Sequence, residues 1–140
     1  MGRGATVEEQ AAIPLMVSGL LDTAIVVDLL RGYTPARQWL STQSDLAVPA
    51  LVWIEILQGA ANKIALQRAS QLLKQFERVN LTDADIEWSV QQLTRYHLSH
   101  NIGGIDCLIA APAHRLSVTL YTANLKHFTP LIGSLVQKPY

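Results

Sequence analysis

Four short strand-like runs recur along the chain: Leu20-Leu21, Leu46-Ala47-Val48, Val79-Asn80-Leu81 and Val118-Thr119-Leu120-Tyr121, each separated from the next by segments of helical length. This alternation constrains the fold more than any other feature. A strand followed by a helix returns to the sheet in the same direction, so the expected fold class is α/β, with a short, mainly parallel central sheet layered against helices.

The intervening segments carry helix signals of different kinds. An apolar stretch from Thr23 to Leu30 ends at Arg31-Gly32, a cation and then a glycine. Thr34 reads as an N-cap with Pro35 as the first helical residue of a helix through Leu40. Residues 49–59 open on Pro49 and are apolar on nearly every side, which predicts a buried helix. Residues 63–76 form an amphipathic pattern with Ile64, Leu66, Leu72 and Leu73 toward the core. Thr82 and Asp85 have capping-box spacing and start a helix reaching about Ser99. A turn at Asn101-Ile102-Gly103-Gly104 leads into a helix from Ile105, which Pro112 is expected to kink or end early. The chain then closes with a polar turn around Asn124 and a short apolar tail.

Residues 1–17 read as an N-terminal extension, with the domain over 18–140. Of 140 residues, 49% are hydrophobic and 16% charged, which suits one compact domain and argues against disorder. Eleven Lys plus Arg balance eleven Asp plus Glu, so any nucleic-acid site must be local rather than a product of net charge. Asp22, Asp28 and Arg31 interrupt the longest apolar stretch, so no membrane span is expected. Arg3 is followed by Glu8 and Glu9 without a long apolar segment, a poor signal peptide. The single cysteine, Cys107, excludes an internal disulfide and fits a reducing compartment; a cytoplasmic location is the expectation.

The chemistry is signalled by acids in apolar company. Asp22 lies in Gly-Leu-Leu-Asp-Thr-Ala-Ile, Glu55 in Val-Trp-Ile-Glu-Ile-Leu, and Asp106 in Gly-Gly-Ile-Asp-Cys-Leu-Ile. A buried carboxylate without compensation costs several kcal/mol or shifts its pKa until neutral. Asp22 and Asp106 could each serve a helix start, but Glu55 sits mid-helix with Leu51 and Gly59 at the four-residue spacing. A shared hard cation, Mg²⁺ or Mn²⁺, accounts for all three.

These residues carry a resemblance. The segments from Leu21-Asp22-Thr23 to Gly32, Ile54-Glu55-Ile-Leu-Gln-Gly59, Ile105-Asp106-Cys-Leu-Ile-Ala-Ala111 and Thr122-Ala-Asn124-Leu-Lys-His127-Phe128 resemble the PIN-domain ribonucleases, in particular the VapC-like toxins of toxin–antitoxin pairs. Four weak motifs occur in order, with 33 residues from Asp22 to Glu55, 51 on to Asp106 and 18 on to Asn124. The resemblance implies a three-layer α/β/α sandwich whose acidic pocket binds Mg²⁺ or Mn²⁺ and cleaves RNA. It also implies a cognate antitoxin and a homodimer.

Carried over by position, Asp22, Glu55 and Asp106 match the three core acids and Asn124 the fourth position, with Asp22, Glu55 and Asp106 as the metal set. Thr23 and Thr122 are the supporting hydroxyls. Where the family often has an acid three residues after the fourth position, this chain has His127. With Asn124 and His127 in place of acids, one resident metal is expected rather than two. The same two residues motivate an alternative: a catalytically weak PIN module that binds RNA or protein without cleaving. Arg31, Arg37, Arg95 and Lys126 are candidate contacts for an RNA backbone, although each alone reads as ordinary surface. Asp28 is expected to pair locally with Arg31, Cys107 to fill the core, and His97 and His100 to lie exposed at a helix end.

Overall fold

In a computed structural model, which describes residues 16–140, five strands form one parallel sheet. The strands are β1 (Gly19–Leu21), β2 (Leu46–Pro49), β3 (Glu77–Val79), β4 (Thr119–Tyr121) and β5 (Val136–Gln137), in the order β3-β2-β1-β4-β5. Seven helices connect them: α1 (Thr23–Leu30), α2 (Thr34–Leu40), α3 (Ala50–Gln58), α4 (Lys63–Leu73), α5 (Asp83–His100), α6 (Gly104–Leu116) and α7 (Leu125–Ile132).

The order of strands dictates the layers. The chain steps outward from β1 to β2 and β3, then crosses back over β1 to β4 and β5. Right-handed crossovers therefore put α1–α4 on one face of the sheet and α5–α7 on the other. The packing agrees, with α1 against α2, α3 and α4, and α5, α6 and α7 against one another. The result is the expected three-layer sandwich.

Strands this short survive because both faces are covered. All of β1 and β2 is buried, and Leu20, Leu21, Ala47, Val48 and Leu120 are wholly shielded. Gly19 pairs with Thr119 in register, and a Cβ there would stand 2.6 Å from the Tyr121 ring, which would have to shift to admit any larger residue. Val17, which reads from sequence as part of the extension, is buried in the core; residues 1–15 of that extension lie outside the described residues.

Several expectations change. Thr34 is the first residue of α2 rather than its cap, which is Tyr33. Pro49 ends β2 and caps α3 instead of opening it. Helix α3 buries only Val52 and Ile56 and leaves Ile54 exposed, because one face meets the sheet while the others border grooves. On α4, Ile64 and Leu66 are exposed; Ala69 and Leu73 make its core contact instead. Pro112 does not stop α6, which continues to Leu116. Burial of every residue from Ile109 to Ala113 holds that helix together across the missing hydrogen bond. The third strand starts and ends two residues early, and both α7 and β5 lie in what reads as a turn and tail.

The predicted capping box is present in full: the Asp85 N–H donates to Thr82 Oγ1 (3.1 Å) and the Thr82 N–H to Asp85 Oδ2 (3.0 Å). Asp85 is 2% exposed and also receives Arg115 Nε at 2.9 Å, clamping α5 to α6. Asp28 takes its hydrogen bond from the Tyr140 hydroxyl (2.7 Å), not from Arg31, and that phenol is pushed up by burial and then by the Asp28 carboxylate. Cys107 is buried, as expected. Among the described residues no helix is long and apolar enough to cross a membrane.

Candidate active site

The strand order reverses between β1 and β4, and in open α/β sheets the crevice beyond the carboxyl ends at such a point is where ligands sit. Asp22 follows the last residue of β1 there, and Thr122 the last residue of β4. The Asp22 N–H donates to the Tyr121 carbonyl (2.9 Å), tying the end of β1 to β4, and the Thr122 N–H donates to the Gln137 carbonyl (3.0 Å), tying the end of β4 to β5.

Asp22 is also the N-cap of α1, and its two oxygens are separately held. Oδ1 accepts from the Thr23 N–H at 2.7 Å, and Oδ2 from the buried Thr122 hydroxyl at 2.6 Å. Thr122 Oγ1 in turn accepts from the Asn124 N–H (2.9 Å), so the turn after β4 is fixed to the same carboxylate. Each Asp22 oxygen keeps a lone pair for another partner.

The three acids converge electrostatically. Burial pushes the Asp22 carboxyl up, the hydrogen bonds from Thr122 and Thr23 partly offset this, and the charges of Asp106 and Glu55 raise it further. Glu55 reaches the site from α3, where the Thr23 hydroxyl donates to its Oε1 at 2.8 Å. Asp106 comes from the first turn of α6, which touches α3. Among the described residues, no Lys or Arg pairs with any of the three; the basic partner present is His127, whose Nδ1 lies 3.2 Å from Asp106 Oδ2.

Other predicted residues fall elsewhere or play smaller parts. Asn124 precedes α7 and is exposed, and its side chain makes no capping bond. Arg31 borders a groove of about 580 Å³ that runs from Thr23 and Glu55 between α1, α3 and α4. Arg68 lines the same groove and escapes sequence reasoning, because an exposed arginine on an amphipathic helix carries no distinguishing signal. Arg37 lies against Gly32, Arg95 over the Tyr96 ring and Lys126 on the exposed start of α7. The His97 ring bonds the Ile102 carbonyl and His100 bonds Ser99, so the two are not a ligand pair. A larger cavity of about 770 Å³ lies by β3, around Trp53 and Arg78, and is not lined by Asp22, Glu55 or Asp106.

The family model of the PIN domain matches residues 19–128. The chain belongs to the PIN-domain family. The matched PIN segment runs from β1 into α7 and includes Asp22, Glu55, Asp106 and Asn124. Similar proteins include Ribonuclease VapC10 of Mycobacterium tuberculosis, 33% identical over 113 residues, with 78% of this chain and 84% of the relative covered. Ribonuclease VapC19 of the same organism is 34% identical over 129 residues, covering 86% and 98%. Among solved structures, a toxin–antitoxin complex from Klebsiella pneumoniae superposes with a TM-score of 0.75 at 29% identity, covering 88% of this chain and 98% of that one.

Proposed function

We propose that this PIN protein is a divalent-metal-dependent endoribonuclease, with Mg²⁺ or Mn²⁺ as its cofactor, and acts as the toxin of a toxin–antitoxin pair. The observation that carries this reading is the convergence on Asp22: a mostly buried carboxylate, raised by two more acids, with no Lys or Arg partner among the described residues. The names of its relatives and the Klebsiella complex point the same way.

The donor set suits a hard cation. Asp22, Glu55 and Asp106 offer carboxylate oxygens from three elements; Asp22 is buried, and Glu55 and Asp106 are partly exposed. Among the described residues no three acids, histidines or cysteines are grouped so that all three could hold one metal ion. That fits a cation held by one or two carboxylates, with waters and substrate phosphate filling the remaining positions. When bound, such an ion supplies Lewis acidity toward a bridging phosphate and lowers the pKa of water.

The chain's own residues divide the remaining work. Asp22 and Asp106 would hold the ion, with Asp22 kept in place by Thr122 and Thr23. Glu55, aimed by the Thr23 hydroxyl, completes the acidic set and accepts a proton from the attacking water. Asn124 orients water or phosphate without adding charge. The water oxygen bonds to phosphorus as the bond to the 3′ oxygen breaks, leaving 3′-hydroxyl and 5′-phosphate ends. The groove beside Leu30, Ile56 and Ile64 also borders Thr23 and Glu55. A homodimer is the proposed functional unit.

Asn124 and His127, standing where acids are expected, favour the alternative, a module that binds RNA or protein without cleaving; among the described residues the exposed Asn124 side chain makes no capping bond. Expression in a bacterial host discriminates the two. The nuclease slows growth, and both Asp22→Asn and Asp106→Asn relieve the inhibition; equal toxicity of wild type and both variants would remove the acids from the function.

A further inference from the structure

We propose that Arg31 and Arg68 grip phosphates of a single-stranded RNA on one flank of the cleaved bond, along the groove between α1, α3 and α4. This rests on the nuclease reading above and adds to it the path of the substrate. Of the basic residues singled out in the sequence, only Arg31 lines this groove. Arg68 joins it from α4, one helical turn after Ile64 and on the same face of that helix.

Thr23 and Glu55 belong both to the acidic site and to the wall of the groove, so a strand whose scissile phosphate stands at the acids continues into the groove without leaving the surface. Two guanidinium groups stand along that path and reach it from different helices: Arg31 directly follows α1, and Arg68 lies midway along α4. Both residues are exposed, and among the described residues neither takes part in a salt bridge. Glu55, the one carboxylate on the groove wall, accepts from the Thr23 hydroxyl instead. Each guanidinium therefore keeps its fork of donors free, and that fork matches the oxygens of a phosphate. Small residues, Gly59, Ala60, Ala61 and Ala65, keep the groove open, and among the described residues no aromatic ring lines it. Its aliphatic wall offers a base no stacking partner, so the grip on this flank falls on the backbone and carries no sequence preference.

The test is fluorescence anisotropy of a labelled, mixed-sequence single-stranded RNA titrated with the full chain carrying Asp106→Asn, in EDTA and over a series of salt concentrations. Each phosphate contact on a single strand adds about 0.7 to the slope of log affinity against log salt. Arg31→Gln and Arg68→Gln should each lower that slope by about 0.7 and weaken binding about fivefold. Arg68→Lys keeps the charge and should restore the slope, which a merely structural role for the side chain would not move. An unchanged slope in the chain carrying both glutamines would overturn the proposal and leave the groove to a protein segment, and so would RNA that fails to bind at any salt concentration. The nuclease reading fails separately, if cells expressing wild type gain no new 5′-phosphate RNA ends.

Discussion

Asp22→Asn should make the metal-free protein more stable and abolish its response to metal. The substitution keeps the shape of the side chain. The amide oxygen can still accept from the Thr23 N–H, and the amide nitrogen can donate to Thr122 Oγ1 once that hydroxyl turns. What is lost is a charge that burial, Asp106 and Glu55 all disfavour. Relief of about 1 kcal/mol is expected, as is usual when a functional site gives up strain. For a chain of this size that raises the unfolding midpoint by about 3–4 °C. Metal reverses the order, since an ion at a hundredfold excess over its dissociation constant stabilises wild type by about 2.7 kcal/mol. Wild type should then rise by about 9 °C and pass the variant. Calorimetric melting of both proteins in EDTA and in millimolar Mn²⁺ reads all four values. A variant less stable than wild type in EDTA, or an equal rise in both on adding Mn²⁺, would refute the reasoning.

Three further outcomes follow from the same contacts. The Asp22 carboxyl titrates above its ordinary 3.8 in the folded protein, so the folded state binds the extra proton between that value and its raised pKa. The contribution of Asp22 to stability in EDTA is therefore fullest below 3.8 and is lost as pH rises through its folded pKa, so Asp22→Asn should remove this component of the slope; matching slopes in the two proteins would contradict it. Arg115→Ala strands the carboxylate of Asp85, 2% exposed, and should cost about 3 kcal/mol in urea unfolding, where a loss under about 0.5 kcal/mol would mean that the acid finds water instead. Thr122→Val removes both the donor to Asp22 and the acceptor for the Asn124 N–H, and should cost about 2 kcal/mol, measured by the urea midpoint; an unchanged midpoint would contradict it.

The features legible in the sequence are those written in local patterns. The alternation of short apolar runs with helices gives four strands and a parallel sheet, and the box at Thr82 and Asp85 is present in atomic detail. Acids stand out because a carboxylate inside an apolar run is chemically conspicuous, and the model of the PIN domain covers the segment that contains them. Strand β5 is hidden because two residues have no period, and its place comes from pairing Leu120 with Val136. Helix α7 is masked by Pro130 and by the polar run of Lys126 and His127. Apolar composition overstates the burial of Ile54, Ile64 and Leu66, since it does not say which helix faces a neighbour will cover. The partners of Asp106 and Asp28 lie 21 and 112 residues away, and no local pattern encodes contacts of that range.

The central claim, that these acids cut RNA, is tested most directly by mapping 5′-phosphate RNA ends across the transcriptome of cells expressing wild type or Asp106→Asn. Such a map covers every transcript at once, so no substrate has to be chosen. The account predicts new 5′-phosphate ends at a restricted set of positions with wild type and none with the variant. Indistinguishable end profiles at equal protein levels would contradict it and leave a PIN module that binds without cleaving.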